Sequence, residues 1–172
     1  MTKASVTIRA PKASDEDAFL AAAGRSRTLH LPWMAPPATG PAVRRFLRRP
    51  RSDRSATFLI FRDPRELVGV VNISEIVRGS FQSAYLGYYA FEPLAGKGLM
   101  RAGLAKVIRH AFTKMKLHRL EANIQPDNTR SIKLAKSLGF RREGVSPRYL
   151  KIRGRWRDHQ RWAILANDGP TN

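Results

Sequence analysis

Gly96 and Gly98, one residue apart, divide an aromatic run, Tyr85-Leu86-Gly87-Tyr88-Tyr89-Ala90-Phe91, from a long amphipathic segment. Met100, Leu104, Val107, Ile108, Ala111, Phe112 and Met115 recur at three- and four-residue steps, the signature of a helix with one apolar face. A strand running through a glycine turn into a helix leaves the first helical N–H groups without partners at the positive end of the helix dipole. Glycines there let main chain approach an anion closely, so Gly96, Lys97 and Gly98, with the amides of Leu99, Met100 and Arg101, are expected to cradle a diphosphate. Two other phosphate motifs are excluded. No G-x-x-x-x-G-K-[ST] occurs, and a dinucleotide fingerprint would need glycine where Arg101 stands.

A second strand-to-helix unit follows. Leu117 to Ile124 reads as a short strand, Pro126-Asp127-Asn128 as a turn, and Leu134, Ala135 and Leu138 as the buried side of a second helix. Asp127 or Asn128 suits the N-cap, and Gly139 a left-handed C-terminal cap. The remaining pattern predicts an edge strand at residues 5–9 and two short helices joined by a Pro-rich stretch. Further strands are expected at 56–61, 67–75, 84–91, 143–149 and 156–163, and residues 49–54 read as a polar loop. Strands that first follow one another and later alternate with helices predict an α+β (α/β) fold, a mixed sheet with helices on both faces. One domain over residues 1–172 is expected, with a frayed tail from residue 167.

From about Val68 to Ile164 the chain resembles the GNAT acyltransferases, and within them the Rim-type ribosomal-protein-alanine N-acetyltransferases. Leu86-Gly87-Tyr88, Ala95-Gly96-Lys97-Gly98, Pro126-Asp127-Asn128 with Ser131, Gly139-Phe140 and Gly154-Arg155-Trp156-Arg157-Asp158-His159 carry the resemblance. It implies a sheet splayed at the site of acetyl-CoA and a direct attack of an amine on the thioester. Main chain at Tyr89, Ala90 and Phe91 would meet the pantetheine arm, with an amide near Ala90 or Phe91 polarising the thioester carbonyl. Asn128 would touch the cofactor or orient the acid. Ser131 is the first choice to protonate the departing thiolate and Tyr149 the other. Glu75 and Glu121 are the candidate bases, Glu121 sharing a strand face with Asn123. Trp33 and Trp156 are expected near the acceptor. One departure stands at Pro93, where the superfamily commonly has Gln or Arg; this removes a side-chain contact and leaves the amide cradle.

Charge is the other constraint. Lys and Arg number 32 against 13 Asp and Glu, a formal net charge of +19. Such an excess attracts polyanions and repels polyamines, which adds ribosomal RNA beside the protein acceptor as a partner. With no cysteine, disulfides, thiolate metal sites and a cysteine nucleophile are excluded. His30, His110, His118 and His159 lack metal-ligand spacing, and His110 is expected on the solvent side of its helix. No signal peptide or apolar span is legible, so a cytoplasmic protein without membrane contact is expected. The function expected is acetyl-CoA-dependent acetylation of a primary amine, foremost the N-terminal alanine of a ribosomal protein. The alternatives are a small-molecule amine acetyltransferase and an RNA- or ribosome-binding factor on the same fold.

Overall fold

A computed structural model describes residues 5–49, 52–62 and 65–168. Strands β1 (Thr7–Arg9), β2 (Ala56–Phe61), β3 (Leu67–Val77), β4 (Ser83–Ala90), β5 (Arg119–Ile124), β6 (Arg141–Ile152) and β7 (Arg155–Leu165) form one sheet in the order β1-β2-β3-β4-β5-β7-β6. The sheet is antiparallel except where β4 meets β5, as the mixed pattern predicted. Helices α1 (Glu16–Arg25), α2 (Arg27–His30) and α3 (Gly40–Leu47) precede β2. Helix α4 (Leu99–Thr113) links β4 to β5, and α5 (Thr129–Ser137) links β5 to β6.

The side-chain period of two in each strand sorts these parts into two layers. On one face, Val71 and Ile73 of β3, Leu86 of β4, Leu120, Ala122 and Ile124 of β5 and Trp162 of β7 bury against Leu104, Val107, Ile108 and Ala111 of α4 and Ala135 of α5. On the other face, Leu59, Phe61, Val70, Tyr89 and Phe91 pack under Phe19, Ala22 and Ala23 of α1 and Val43 and Leu47 of α3. Burial of an aliphatic or aromatic side chain contributes about 1.5–3 kcal/mol, so each layer has its own driving force. Helices α1 to α3 cover only the β2–β4 half of this second face. Beyond it, on β5 and β7, the face carries polar side chains: Glu121, Asn123, His159 and Arg161.

Two close contacts fix how the layers meet. A Cβ on Gly103 would lie 2.5 Å from Ile60, and one on Gly69 would lie 2.6 Å from the Tyr89 carbonyl and 2.7 Å from Met100 Sδ. These glycines let α4 lie directly on the sheet. His110, expected toward solvent, is instead half-buried and packs edge-on to Phe58, ring centroids 5.1 Å apart. Of the expected tail, Asn167 and Asp168 belong to a helical turn, Ala166–Asp168, and residues 169–172 lie outside those described. Part of the polar loop at 49–54 also lies outside them.

Candidate active site

Pairing between β4 and β5 is short. It holds Ser83, Ala84 and Tyr85 against Arg119, Leu120 and Glu121, and then stops. Beyond Tyr85 the strands separate and leave β4 with a free edge. The Phe91 N–H donates to the Val68 carbonyl at 2.8 Å. Because hydrogen-bonding direction alternates along an antiparallel strand, Tyr89 and Phe91 bond toward β3, and Tyr88 and Ala90 face the opening. Between the two amides expected to polarise a carbonyl, Phe91 is therefore committed to the sheet and Ala90 points into the gap.

The α1–α2 corner closes part of this edge with side chains. Ser26, fully buried, donates its hydroxyl to the Ala22 carbonyl at 2.7 Å and accepts the Glu92 N–H at 2.9 Å. His30 Nε2 donates to the Ala90 carbonyl at 2.6 Å, its ring edge-on to Tyr89 and Phe91. Burial pushes the His30 imidazole down from its usual range, partly countered by that carbonyl and by the charge of Glu92. Neither Ser26 nor His30 was marked as a site residue by sequence reasoning, because each meets its partner sixty or more positions away. The main-chain groups of Tyr88 and the N–H of Ala90 are left facing the gap.

At the end of β4 both glycines take left-handed backbone. Gly96 and Gly98 have φ of 77° and 76°, and a Cβ on either would meet no atom within 4 Å. They are required by the backbone path, with open space in front of them. The first helical bond of α4 runs from the Ala102 N–H to the Gly98 carbonyl at 3.1 Å. The N–H groups of Leu99, Met100 and Arg101 thus have no partner within the helix. Open space, free amides and the positive helix end together fit a diphosphate. The Arg101 guanidinium reaches the Ser137 carbonyl at 3.1 Å, tying α4 to the carboxyl end of α5.

Helix α5 starts at the opposite wall. Asn128 Oδ1 accepts the Ser131 N–H at 3.1 Å, an N-cap, and the Tyr88 hydroxyl donates to the Ser131 carbonyl at 3.1 Å. Burial raises the Tyr88 phenol to about 12, so it remains a donor at neutral pH. A cleft of about 580 Å³ runs between these parts. Met100, Arg101, Asn128, Ser131 and Leu134 line it from the α4–α5 layer, and His30, Trp33, Met34 and Tyr89 from the α2 side. It therefore passes through the sheet.

The cleft brings together Tyr89, Ala90, Gly96, Gly98, Met100, Arg101, Asn128 and Ser131 from the expected set. It does not gather the rest. Phe91 and Leu99 are buried in the core, and the Lys97 side chain lines a separate hollow with Arg25, Arg62 and Arg65. Glu75, exposed at the end of β3, faces Arg54 at 3.4 Å. Glu121, half-buried, is 2.8 Å from Arg119, which also binds Glu143 at 2.9 Å. Those hydrogen bonds raise the Arg119 pKa and hold Glu143 below the usual carboxylate range. Tyr149 meets Tyr85, hydroxyl to hydroxyl, at 3.4 Å. That bond, burial and the charges of Glu121 and Glu75 raise the Tyr85 phenol to about 12. Tyr85, unmarked in the sequence, is thus the point around which both candidate bases and Tyr149 gather. Trp33 lines the cleft; Trp156, 59% exposed, stands on the β6–β7 hairpin outside it. Among the described residues no group of three or more His, Cys, Asp or Glu could hold a metal ion. No helix there is long and apolar enough to cross a membrane.

The model of the GNAT acetyltransferase domain matches residues 5–141. The chain belongs to the GNAT acetyltransferase family. Among curated GNAT relatives, the [ribosomal protein uS5]-alanine N-acetyltransferase of Escherichia coli is 44% identical over 106 residues, 62% of this chain and 55% of that protein. The probable N-acetyltransferase YjcK of Bacillus subtilis is 40% identical over 102 residues, 59% of this chain and 56% of that protein. The match spans little more than half the length of these relatives. Among solved GNAT structures, Mycobacterium smegmatis RimJ in complex with CoA-disulfide superposes with a TM-score of 0.87 at 30% identity, covering 97% of this chain and 85% of that one. The GNAT fold expected from the motifs is the one observed.

Proposed function

We propose that this protein transfers an acetyl group from acetyl-CoA to the N-terminal amine of a protein, foremost the N-terminal alanine of a ribosomal protein. The through-sheet cleft carries this reading, because it gives two substrates entrances on opposite faces of one gap. Acetyl-CoA supplies the acetyl group as a thioester. Gly96, Gly98 and the amides of Leu99 to Arg101 hold its diphosphate, and the Tyr88 and Ala90 main chain holds its arm, Ala90 N–H donating to the thioester carbonyl.

The proton-handling groups divide between the same two sides. On the acceptor face, Glu121 takes the ammonium proton, directly or through water. An α-amine with a pKa of about 7.7–8.0 needs only a modest base. Glu75 is more exposed than Glu121, which makes it the weaker candidate. On the cofactor side, Ser131 lines the cleft and donates a proton to the leaving thiolate; Tyr149 lies beside Tyr85 on the acceptor face instead. The curated uS5-alanine N-acetyltransferase supports the choice of acceptor. A polyamine acceptor is disfavoured by the +19 charge and by the pairing of both acceptor-face carboxylates with arginines. The same charge supports a ribosomal RNA contact beside the protein acceptor.

The test is an acceptor screen with acetyl-CoA, read by thiol release, with alanyl, seryl and methionyl peptides against spermidine and amino sugars. Turnover of the alanyl peptide above the free amines is expected. Turnover of spermidine alone would overturn the reading.

A further inference from the structure

The half of the second sheet face that α1 to α3 do not cover contains buried polar atoms that the reaction as described does not use. Asn123 Oδ1 and Arg161 Nε are both buried and hydrogen-bonded to no described residue. Burying a donor or acceptor without a partner is costly, so two such atoms together ask for a ligand. They are neighbours. Asn123 of β5 lies directly opposite Arg161 of β7, and Arg161 directly opposite Gly144 of β6, which puts the two side chains on one face within reach of each other.

The row continues across the gap. From Tyr85 opposite Glu121, two steps along each strand bring Gly87 level with Asn123. A Cβ on Gly87 would meet nothing within 4 Å, so no side chain covers that position of the face. Tyr89, next on that face and 7% exposed, lines the cleft, and its buried hydroxyl is likewise bonded to no described residue. Gly144 shapes the far end. A Cβ there would lie 3.0 Å from Arg161 Nη2, so a side chain at that position would crowd the guanidinium where it lies across β6.

We propose that Asn123 and Arg161 form a subsite for the first peptide unit of the acceptor, Arg161 Nε–H donating to the carbonyl oxygen next to the reacting amine and Asn123 Oδ1 accepting from the amine itself. The pair reads an amine with an adjacent carbonyl, the feature that distinguishes a polypeptide N-terminus from a polyamine or an amino sugar. This rests on the protein N-terminus being the acceptor. It adds the group that would enforce that choice, since a site built to bond a carbonyl discriminates against analogues lacking one.

The experiment compares an alanyl dipeptide amide with its (E)-alkene isostere, which keeps the shape and the primary amine but has no carbonyl oxygen. The full chain with saturating acetyl-CoA should prefer the amide in kcat/KM by about tenfold or more, the range for a hydrogen bond to a charged group. In Arg161→Met the ratio should collapse toward one. Gly144→Ala, which crowds the guanidinium without deleting it, should reduce the ratio partway. Asn123→Leu should lower kcat/KM for both acceptors together. Circular dichroism and acetyl-CoA binding check that each variant is folded. Equal use of amide and isostere by the unaltered protein, or an undiminished ratio in folded Arg161→Met and Gly144→Ala, would overturn the subsite while leaving N-terminal acetylation standing. Turnover of free amines with no turnover of any peptide would overturn both.

Discussion

Replacing Gly98 by alanine tests the diphosphate cradle directly. Gly98 has φ of 76° and open space around its would-be Cβ, so the substitution brings backbone strain without a clash. Holding an L-residue in the left-handed region costs about 1–2 kcal/mol, offset by about 0.4–1 kcal/mol from the lower entropy of the unfolded chain. A net loss near 1 kcal/mol should lower Tm by about 2–4 °C for a chain of this size. The functional effect should be larger. If the backbone relaxes to negative φ, the amides of Leu99 to Arg101 turn away from the phosphates, and losing one charge-assisted bond of about 1.5–3 kcal/mol weakens acetyl-CoA roughly 10- to 150-fold. Gly79 provides the control. It has φ of 66° with open space, but lies in the β3–β4 connection away from the cleft. Gly79→Ala should show the same thermal loss with acetyl-CoA affinity, measured by isothermal titration, unaltered. Equal affinities in the two variants would refute the cradle.

Ser131→Ala should lower kcat far more than acetyl-CoA affinity, read by single-turnover thiol release and titration; an unchanged rate would remove Ser131 from the chemistry. Asn128→Ala removes the N-cap of α5 and should cost about 1 kcal/mol in urea melts. Stability should also depend on His30. Its folded pKa is depressed, so its contribution is present above the unfolded value of about 6.5 and is lost as pH falls from there toward the folded pKa. His30→Gln should flatten that part of the pH-stability profile. Binding of a ribosomal RNA fragment should weaken steeply with added salt, as counterion release requires, whereas acetyl-CoA binding should respond less.

The parts of this site that could be read from sequence are those whose chemistry is local. Gly96, Gly98 and the α4 amides lie within six residues, and Asn128 caps a helix in which Ser131 is the third residue, so periodicity and turn rules place them. His30 on Ala90, Ser26 on Glu92 and Tyr85 on Tyr149 join elements far apart in the chain, and no spacing rule predicts such pairs. Phe91 and Lys97 show the complementary limit. Neighbourhood in sequence suggested cofactor contact, but the alternation of β4 turns the Phe91 amide to Val68 and the glycine turn aims the Lys97 side chain at the α1 side. Arg161 was legible as charge and not as position, because its place beside Asn123 is set by the pairing of β5 with β7.

A passage open on two sides of the sheet has a kinetic corollary. In the proposed reaction the nucleotide carrier and the amine would enter from opposite faces, so neither product would have to leave before the other substrate arrives. Initial-rate lines for varied amine at several carrier concentrations should therefore intersect, the mark of a ternary complex, and not run parallel as they would for a covalently acetylated protein. Compounds that plug one doorway should compete with a single substrate each, so that a bisubstrate conjugate spanning both would gain from each half.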